Sequence, residues 1–106
     1  MQPLIHIADD ELIIRKFVSK TLSSAGYWTL EAEGGLAAYE LIRELNTDLK
    51  LAIVDIRMPR MNGVELTERL RTEYPDIKIL CISGYSNEQC PKAHCFLAKP
   101  FGAKAL

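Results

Sequence analysis

Three aspartates, a serine and a lysine each stand at the end of an apolar segment or just after one. They are Asp9, Asp10, Asp55, Ser83 and Lys99. Clustered carboxylates repel one another, so a group of them needs a counter-charge to stay ionised. Mg²⁺ is a suitable counter-charge because it takes oxygen ligands and commonly combines one or two carboxylates with phosphate oxygens. These residue types therefore indicate a site for Mg²⁺ and a phosphoryl group, with an aspartate as the candidate nucleophile.

The apolar segments before these residues have the pattern of buried strands. Residues 4–8 are mostly apolar and stop at acids, and residues 49–56 form a nearly continuous apolar run. Such runs are typical of parallel strands that are covered on both faces. Further strands are predicted at 27–30, 77–82 and 95–98, and His6 in the first strand is expected to be a core histidine with its hydrogen bonds satisfied.

Between the strands, apolar residues recur at three- and four-residue steps, which predicts helices. The first helix is expected to begin at Asp9 or Asp10 as its N-cap and to stop at Gly26. A second helix follows Gly34-Gly35, and a third is predicted over 64–73. Strands that alternate with helices predict a mostly parallel sheet with helices on both faces. The carboxyl ends of its strands meet at one edge, so the five polar residues should converge there.

Five separated motifs, in this order, resemble the receiver domain of bacterial two-component response regulators. They are Asp9-Asp10, Asp55-Ile56-Arg57-Met58-Pro59, Asn62-Gly63, Ser83-Gly84 and Lys99-Pro100-Phe101. The resemblance covers nearly the whole chain and implies one receiver domain over residues 1–106. It also implies an α/β fold, namely a flavodoxin-like, doubly wound, five-stranded parallel sheet with strand order 2-1-3-4-5.

Carried over position by position, the resemblance implies a role for each site residue. Asp55 would be the phosphoacceptor, and Mg²⁺ would be held by Asp9, Asp10, Asp55 and the backbone carbonyl of Arg57. Ser83 and Lys99 would contact the phosphoryl group. Phe96 would be the aromatic side chain that changes rotamer on activation, and Lys99-Pro100 would be a cis peptide.

The resemblance further implies a signalling function. A sensor histidine kinase or a histidine phosphotransfer protein would donate the phosphoryl group, and phosphorylation would shift a conformational switch toward an output domain or partner. The chain would not be an enzyme beyond its own phosphotransfer and autodephosphorylation. An aspartyl-phosphate phosphatase would need a second aspartate where Arg57 stands. A flavin-binding module would need a glycine- and hydroxyl-rich loop where Ala8-Asp9-Asp10-Glu11 stands. A degenerate receiver that serves as an adaptor is a further alternative.

Most of the single assignments have a purely structural alternative. Asp9 and Asp10 could cap the first helix, Ser83 could be a turn residue, Lys99 could lie on the surface and Phe96 in the core. Asp55 has no such alternative, because an unpaired carboxylate at the end of an apolar strand is costly.

The C-terminal part departs from the family pattern. Only fifteen residues separate Ser83 from Lys99, and Pro91 lies among them. A helix, a strand and two connections need more residues than that, so the fourth helix is expected to be short or missing. The sequence ends at Leu106, which predicts a truncated fifth helix. We therefore expect an altered output face and an uncovered apolar patch on the sheet, with low stability or self-association as the result. A homodimer partner or an effector would bind through this altered face.

Composition excludes several other classes. The 106 residues carry a net charge of −1, which gives no electrostatic footprint for direct nucleic-acid binding. No apolar stretch is long enough to cross a membrane. The start of the sequence does not resemble a signal peptide, and the three cysteines are expected to be reduced in a cytoplasmic protein. A zinc site from Cys81, Cys90, His94 and Cys95 is disfavoured, because their spacing matches no known ligand pattern.

Overall fold

The structure is a computed structural model that describes residues 4–45, 49–58, 60–83 and 93–98. For residues 96–98 it describes the backbone alone. The shortened fourth helix and the truncated fifth helix that the sequence predicts lie outside these residues. The elements within them are β1 (Leu4–Ala8), α1 (Leu12–Ser24), β2 (Trp28–Ala32), α2 (Gly35–Glu44), β3 (Leu49–Asp55), α3 (Gly63–Glu73), β4 (Lys78–Ser83) and β5 (Cys95–Ala98).

The strands form one five-stranded sheet with the order β2-β1-β3-β4-β5, and all four neighbouring pairs are parallel. The predicted fold and strand order are therefore confirmed. In the register of the sheet, Asp55 pairs with Ile82, and Ser83 pairs with Ala98. The carboxyl ends of β3, β4 and β5 thus lie level with one another, and the residues that follow them share one edge.

Both faces of the sheet are covered, as the apolar runs predict. Ile5 and Ile7 of β1 pack with Val18 and Leu22 of α1 on one face. The residues of the other face come from the alternate strand positions and from α2 and α3, including Ala38, Ile42, Leu66 and Leu70. Because side chains of a strand alternate between faces, the apolar positions of β1 and β3 pack on both faces of the sheet, and Asp55 and Ser83 stand at the carboxyl ends of β3 and β4.

The ends of α1 confirm one prediction and overturn another. Gly26 has a φ of 98° and follows the helix as predicted. The amides of Gly26 and Tyr27 donate to the carbonyls of Ser23 and Leu22, which is the Schellman pattern. At the other end the N-cap is Glu11, with no capping hydrogen bond from a side chain. The predicted N-cap at Asp9 or Asp10 is therefore wrong, because the strand end holds both residues outside the helix.

The β3–α3 connection ends in a capping box between Asn62 and Glu65, which the sequence analysis did not predict. The Asn62 side chain accepts from the Glu65 amide at 2.9 Å, and the Glu65 side chain accepts from the Asn62 amide at 3.1 Å. Two amides that the first turn would otherwise leave without partners are thereby satisfied. This fixes the point at which α3 begins, close behind the end of β3.

Replacing Asn62 by alanine is expected to lower the free energy of unfolding by about 1 kcal/mol, because the Glu65 amide then has no side-chain acceptor. Urea unfolding followed by circular dichroism measures the change. Asn62→Asp keeps a carboxylate oxygen at the same place and should stay within about 0.5 kcal/mol of the parent. Equal losses in both variants would show that the cap does not stabilise α3.

No helix in the described ranges is long and apolar enough to span a membrane.

Candidate functional site

Four carboxylates lie together at the carboxyl edge of the sheet. They belong to Asp9, Asp10 and Glu11, which follow β1, and to Asp55, the last residue of β3; one oxygen of each lies within 4.8 Å of the others. Asp9 is fully buried and Asp55 is 4% exposed, whereas Asp10 and Glu11 are exposed. The sequence prediction that Asp9, Asp10 and Asp55 converge is therefore confirmed in this geometry.

Glu11 is the member of the cluster that the sequence analysis missed. The sequence showed a run of three acids, Asp9-Asp10-Glu11. No role in the site was assigned to the third acid, Glu11. The turn at the end of β1 brings it back toward Asp55, and its amide donates to the Asp9 carboxylate at 2.9 Å. The position of Glu11 directly after Asp9 and Asp10 was the signal in the sequence that could have placed it in the cluster. The direction of the turn, which brings Glu11 toward Asp55, cannot be read from the sequence.

Asp55 is held in place by the close approach of α3. The amide of Gly63 donates to the carbonyl of Ile56 at 2.8 Å. An alanine Cβ at position 63 would lie 2.2 Å from the backbone oxygen of Asp55 and 2.7 Å from the Cα of Ile56. Only glycine fits so close to another backbone without displacing it. The Asn62-Gly63 motif therefore sets how tightly α3 packs behind the end of β3.

The remaining predicted residues divide into those that the structure places and those that it does not. Ser83 is buried at the end of β4, one residue after Ile82, the partner of Asp55 in the sheet, so it lies at the predicted edge. Arg57 is exposed, two residues beyond Asp55. Phe96 belongs to β5 and pairs with Cys81, but its side chain is not described. Lys99 and Pro100 lie outside the described residues, so their roles stay predictions.

The donor set of the acidic cluster fits a hard divalent cation. Its oxygens come from four carboxylates, two of them buried, and Mg²⁺ prefers oxygen ligands of this kind. Carboxylates brought this close repel one another, and a cation between them would relieve the repulsion. A cleft of about 400 Å³, lined in part by Asp10, Arg57 and Asn62, opens next to the cluster.

The cysteine- and histidine-containing segment shows no such geometry in the part that is described. The Nδ1 atom of His94 accepts from the amide of Ile79 at 3.0 Å, and its amide donates to the Ile79 carbonyl at 2.9 Å. His94 thus extends the pairing of β5 with β4. Cys81 is buried within the sheet and Cys95 is exposed, and neither forms a disulfide. Cys90 lies outside the described residues.

Comparison with known proteins identifies relatives along nearly the whole chain. The family model of the response regulator receiver domain matches residues 5–106. The chain is 34% identical to the response regulator receiver protein CpdR of Brucella abortus, over 96% of this chain and 88% of that protein. It is also 34% identical to the sensor kinase CckA of the same organism, over 96% of this chain but 11% of that protein.

A solved structure agrees with the sequence matches. The response regulator protein TrrA of Thermotoga maritima, solved in complex with Mg²⁺-BeF, superposes with a TM-score of 0.85 at 29% identity. The superposition covers 94% of this chain and 89% of that one. The family model, the sequence relatives and the solved structure all identify a response regulator receiver. The chain therefore belongs to the response regulator receiver domain family of two-component signalling.

Proposed function

We propose that this receiver domain accepts a phosphoryl group on the carboxylate of Asp55, in a reaction that depends on Mg²⁺. The observation that carries the proposal is the position of Asp55, a buried acid within 4.8 Å of three other carboxylates at an open sheet edge. Carboxylates this close repel one another, and a cation bound between them would relieve that repulsion.

The residues divide the chemistry between them. A carboxylate oxygen of Asp55 attacks phosphorus while the P–N bond of a phosphohistidine breaks, and the departing imidazole takes up a proton. Asp9, Asp10 and Asp55 would hold Mg²⁺ with the carbonyl of Arg57, and Glu11 adds a fourth carboxylate to the cluster. The cation would neutralise the charge that the acids and the phosphoryl oxygens bring together. Ser83 would donate a hydrogen bond to the phosphoryl group, and Lys99 would oppose its charge.

Two features support this division of roles. TrrA, which shares the fold at 29% identity, was solved in complex with Mg²⁺-BeF. The sequence also keeps each of the acids, the serine and the lysine at the strand ends where the chemistry needs them. The proposal makes the chain a phosphoacceptor and not an enzyme with a separate substrate. An aspartyl-phosphate phosphatase is disfavoured because the exposed Arg57 stands where its second aspartate would be.

The donor and the output follow from the same chemistry. We propose a bacterial sensor histidine kinase or histidine phosphotransfer protein as the cytoplasmic donor. The added charge on Asp55 would shift a two-state equilibrium, with Ser83 and Phe96 linking the site to the output face. Through that face the domain would contact an effector or form a homodimer. The chain spans 88% of CpdR but 11% of CckA, and both a separate receiver and a receiver joined to a kinase are compatible with it.

Incubation with acetyl phosphate and Mg²⁺ is expected to add one phosphoryl group that is stable in acid and labile in base. Intact-protein mass spectrometry measures the adduct. Asp55→Asn should abolish it, because an amide is not a nucleophile for phosphorus. Asp76→Asn makes the same change at an exposed aspartate outside the cluster and should label like the parent. Labelling of Asp55→Asn at the parent's rate, or labelling that persists in EDTA, would contradict the proposal.

A further inference from the structure

Arg15 connects three segments of the chain next to the acidic cluster. It lies in the first turn of α1, and its Nη1 donates to the backbone carbonyl of Asp9 at 2.8 Å. Its Nε donates to Oε1 of Glu31, on β2, at 3.2 Å. A single guanidinium therefore ties the start of α1 and the neighbouring strand to the residue that begins the acidic loop.

Burial distinguishes Arg15 from its neighbour Lys16, which binds the same carboxylate. The side chain of Arg15 is 12% exposed and that of Glu31 is 21% exposed. Lys16 contacts Oε2 of Glu31 at 3.1 Å but is 63% exposed, and it makes no described contact with Asp9. Exposed ion pairs contribute little because water and salt screen them. The planar, shielded guanidinium can hold two acceptors in a fixed geometry, which an ammonium does less well.

The contact with Asp9 matters because Asp9 leads the segment that supplies three of the four carboxylates. Its amide donates to the carbonyl of Ala32 at 3.1 Å, and its Oδ1 accepts from the amide of Glu11 at 2.9 Å. Arg15 provides the corresponding anchor at the Asp9 carbonyl. The direction of the buried Asp9 side chain is thereby set from both sides of the residue. Without such anchors, repulsion would drive the carboxylates of residues 9–11 away from Asp55.

We propose that Arg15, held by Glu31, is a positioning residue that orients the Asp9–Glu11 loop for Mg²⁺ binding. This inference rests on the function proposed above. Groups that orient metal ligands commonly affect metal affinity by about 10- to 100-fold when they are removed. Arg15 acts through the backbone of Asp9 and does not itself contact the metal or the phosphoryl group.

Electrostatics alone would have the opposite effect, which makes the proposal testable. A positive charge near the site repels Mg²⁺, so the loss of an arginine should tighten binding if charge were all that mattered. Loss of the positioning contact should weaken it. Lys16→Met also removes one positive charge that pairs with Glu31, but it leaves the contact between Arg15 and Asp9 intact. It therefore measures the effect of charge alone on the affinity for Mg²⁺.

The test is isothermal titration of the purified full chain with MgCl₂, for the parent and for four variants. Arg15→Met and Arg15→Lys remove the contact with Asp9, the second without changing the net charge. Lys16→Met is the charge control. Ser19→Ala removes another link between α1 and β2, the 2.8 Å hydrogen bond between the Ser19 and Thr29 hydroxyls, and controls for the packing of α1. Circular dichroism checks that each variant is folded. If Arg15→Met does not fold, the affinity of Arg15→Lys for Mg²⁺ is the test of the positioning role.

We expect both Arg15 variants to raise the dissociation constant for Mg²⁺ by about tenfold or more. Lys16→Met and Ser19→Ala should stay within about threefold of the parent. An unchanged constant in Arg15→Lys, or an equal loss in either control, overturns the positioning role. If the parent neither binds Mg²⁺ nor labels with acetyl phosphate, the proposed function itself fails. If the parent does both while the Arg15 variants bind normally, only the role of Arg15 is rejected.

Discussion

Replacement of Gly63 by alanine is expected to lower the free energy of unfolding by about 2–3 kcal/mol and to slow the phosphorylation of Asp55. The new Cβ would lie 2.2 Å from the backbone oxygen of Asp55, so either α3 or the end of β3 must move. Neither element can shift alone, since Leu66 and Leu70 of α3 are fully buried against the sheet. The displaced backbone is the one that carries Asp55, the proposed phosphoacceptor, and stability and labelling should therefore fall together.

Thermal unfolding and acetyl phosphate labelling measure the two effects of Gly63→Ala. A loss of 2–3 kcal/mol corresponds to a fall in Tm of about 10–20 °C for a domain of this size. Gly26→Ala is the matched control. Its Cβ would meet nothing within 4 Å, but its φ of 98° makes alanine strained there. It should cost about 1–2 kcal/mol and leave the initial rate of labelling unchanged. If Gly63→Ala labels like Gly26→Ala, the close approach of α3 does not position Asp55.

Acid is expected to destabilise the domain through His6, by about 2 kcal/mol at pH 5 and about 3 kcal/mol at pH 4 relative to pH 7. His6 is fully buried in β1, between Leu30 and Ala52 of the neighbouring strands. Neither ring nitrogen has a hydrogen-bond partner among the described residues, which differs from the satisfied core histidine that the sequence predicts. Burial lowers the pKa of His6 from 6.5 to about 4.

The direction of this pH dependence follows from which state binds the proton. Between pH 6.5 and 4 the unfolded chain has a protonated His6 while the folded chain keeps it neutral. Stability from this group is thus fully present above pH 6.5 and is lost as the pH falls toward 4. The cost in the folded state arises because an imidazolium in the apolar core would have neither water nor a counter-charge.

Urea unfolding of the parent and of His6→Leu between pH 4 and pH 7.5 measures the contribution. The variant should lack this part of the acid dependence, so its advantage over the parent should grow as the pH falls. His94→Gln replaces an exposed histidine whose pKa is also lowered, by desolvation and by Arg71 and Lys78, and it should remove a smaller part of the parent's acid sensitivity than His6→Leu does. A constant difference between His6→Leu and the parent over this range would show that His6 does not remain neutral in the folded domain.

Local patterns in the sequence were sufficient for most of the fold. β1 and β5 were predicted at their observed bounds, and the other strands and α3 lie within two residues of the prediction. Apolar alternation and helical periodicity depend on neighbours along the chain, so they can be read without knowledge of the tertiary structure. The predicted strand at 27–30 is in fact Trp28–Ala32, because pairing with β1 extends it through Glu31 and Ala32.

The acids of the site could likewise be predicted, because a parallel sheet brings its strand ends together whatever their distance in sequence. Asp9, Asp10 and Asp55 converge as expected, and Ser83 ends the neighbouring strand one residue after the partner of Asp55. What the sequence by itself determined was therefore the set of elements, their order and the aspartate that accepts the phosphoryl group in our proposal. These follow from residue type, periodicity and motif.

Only the tertiary structure decided which side chains and backbone groups of these elements come into direct contact. Glu11 joins the acids of the cluster, and Arg15 reaches the Asp9 carbonyl. Gly63 lies against Asp55, and His6 is enclosed without a described partner. Each of these depends on the direction of a turn or on the separation of two packed backbones. Such distances are set by the packing of segments that are remote in sequence, and no local pattern encodes them.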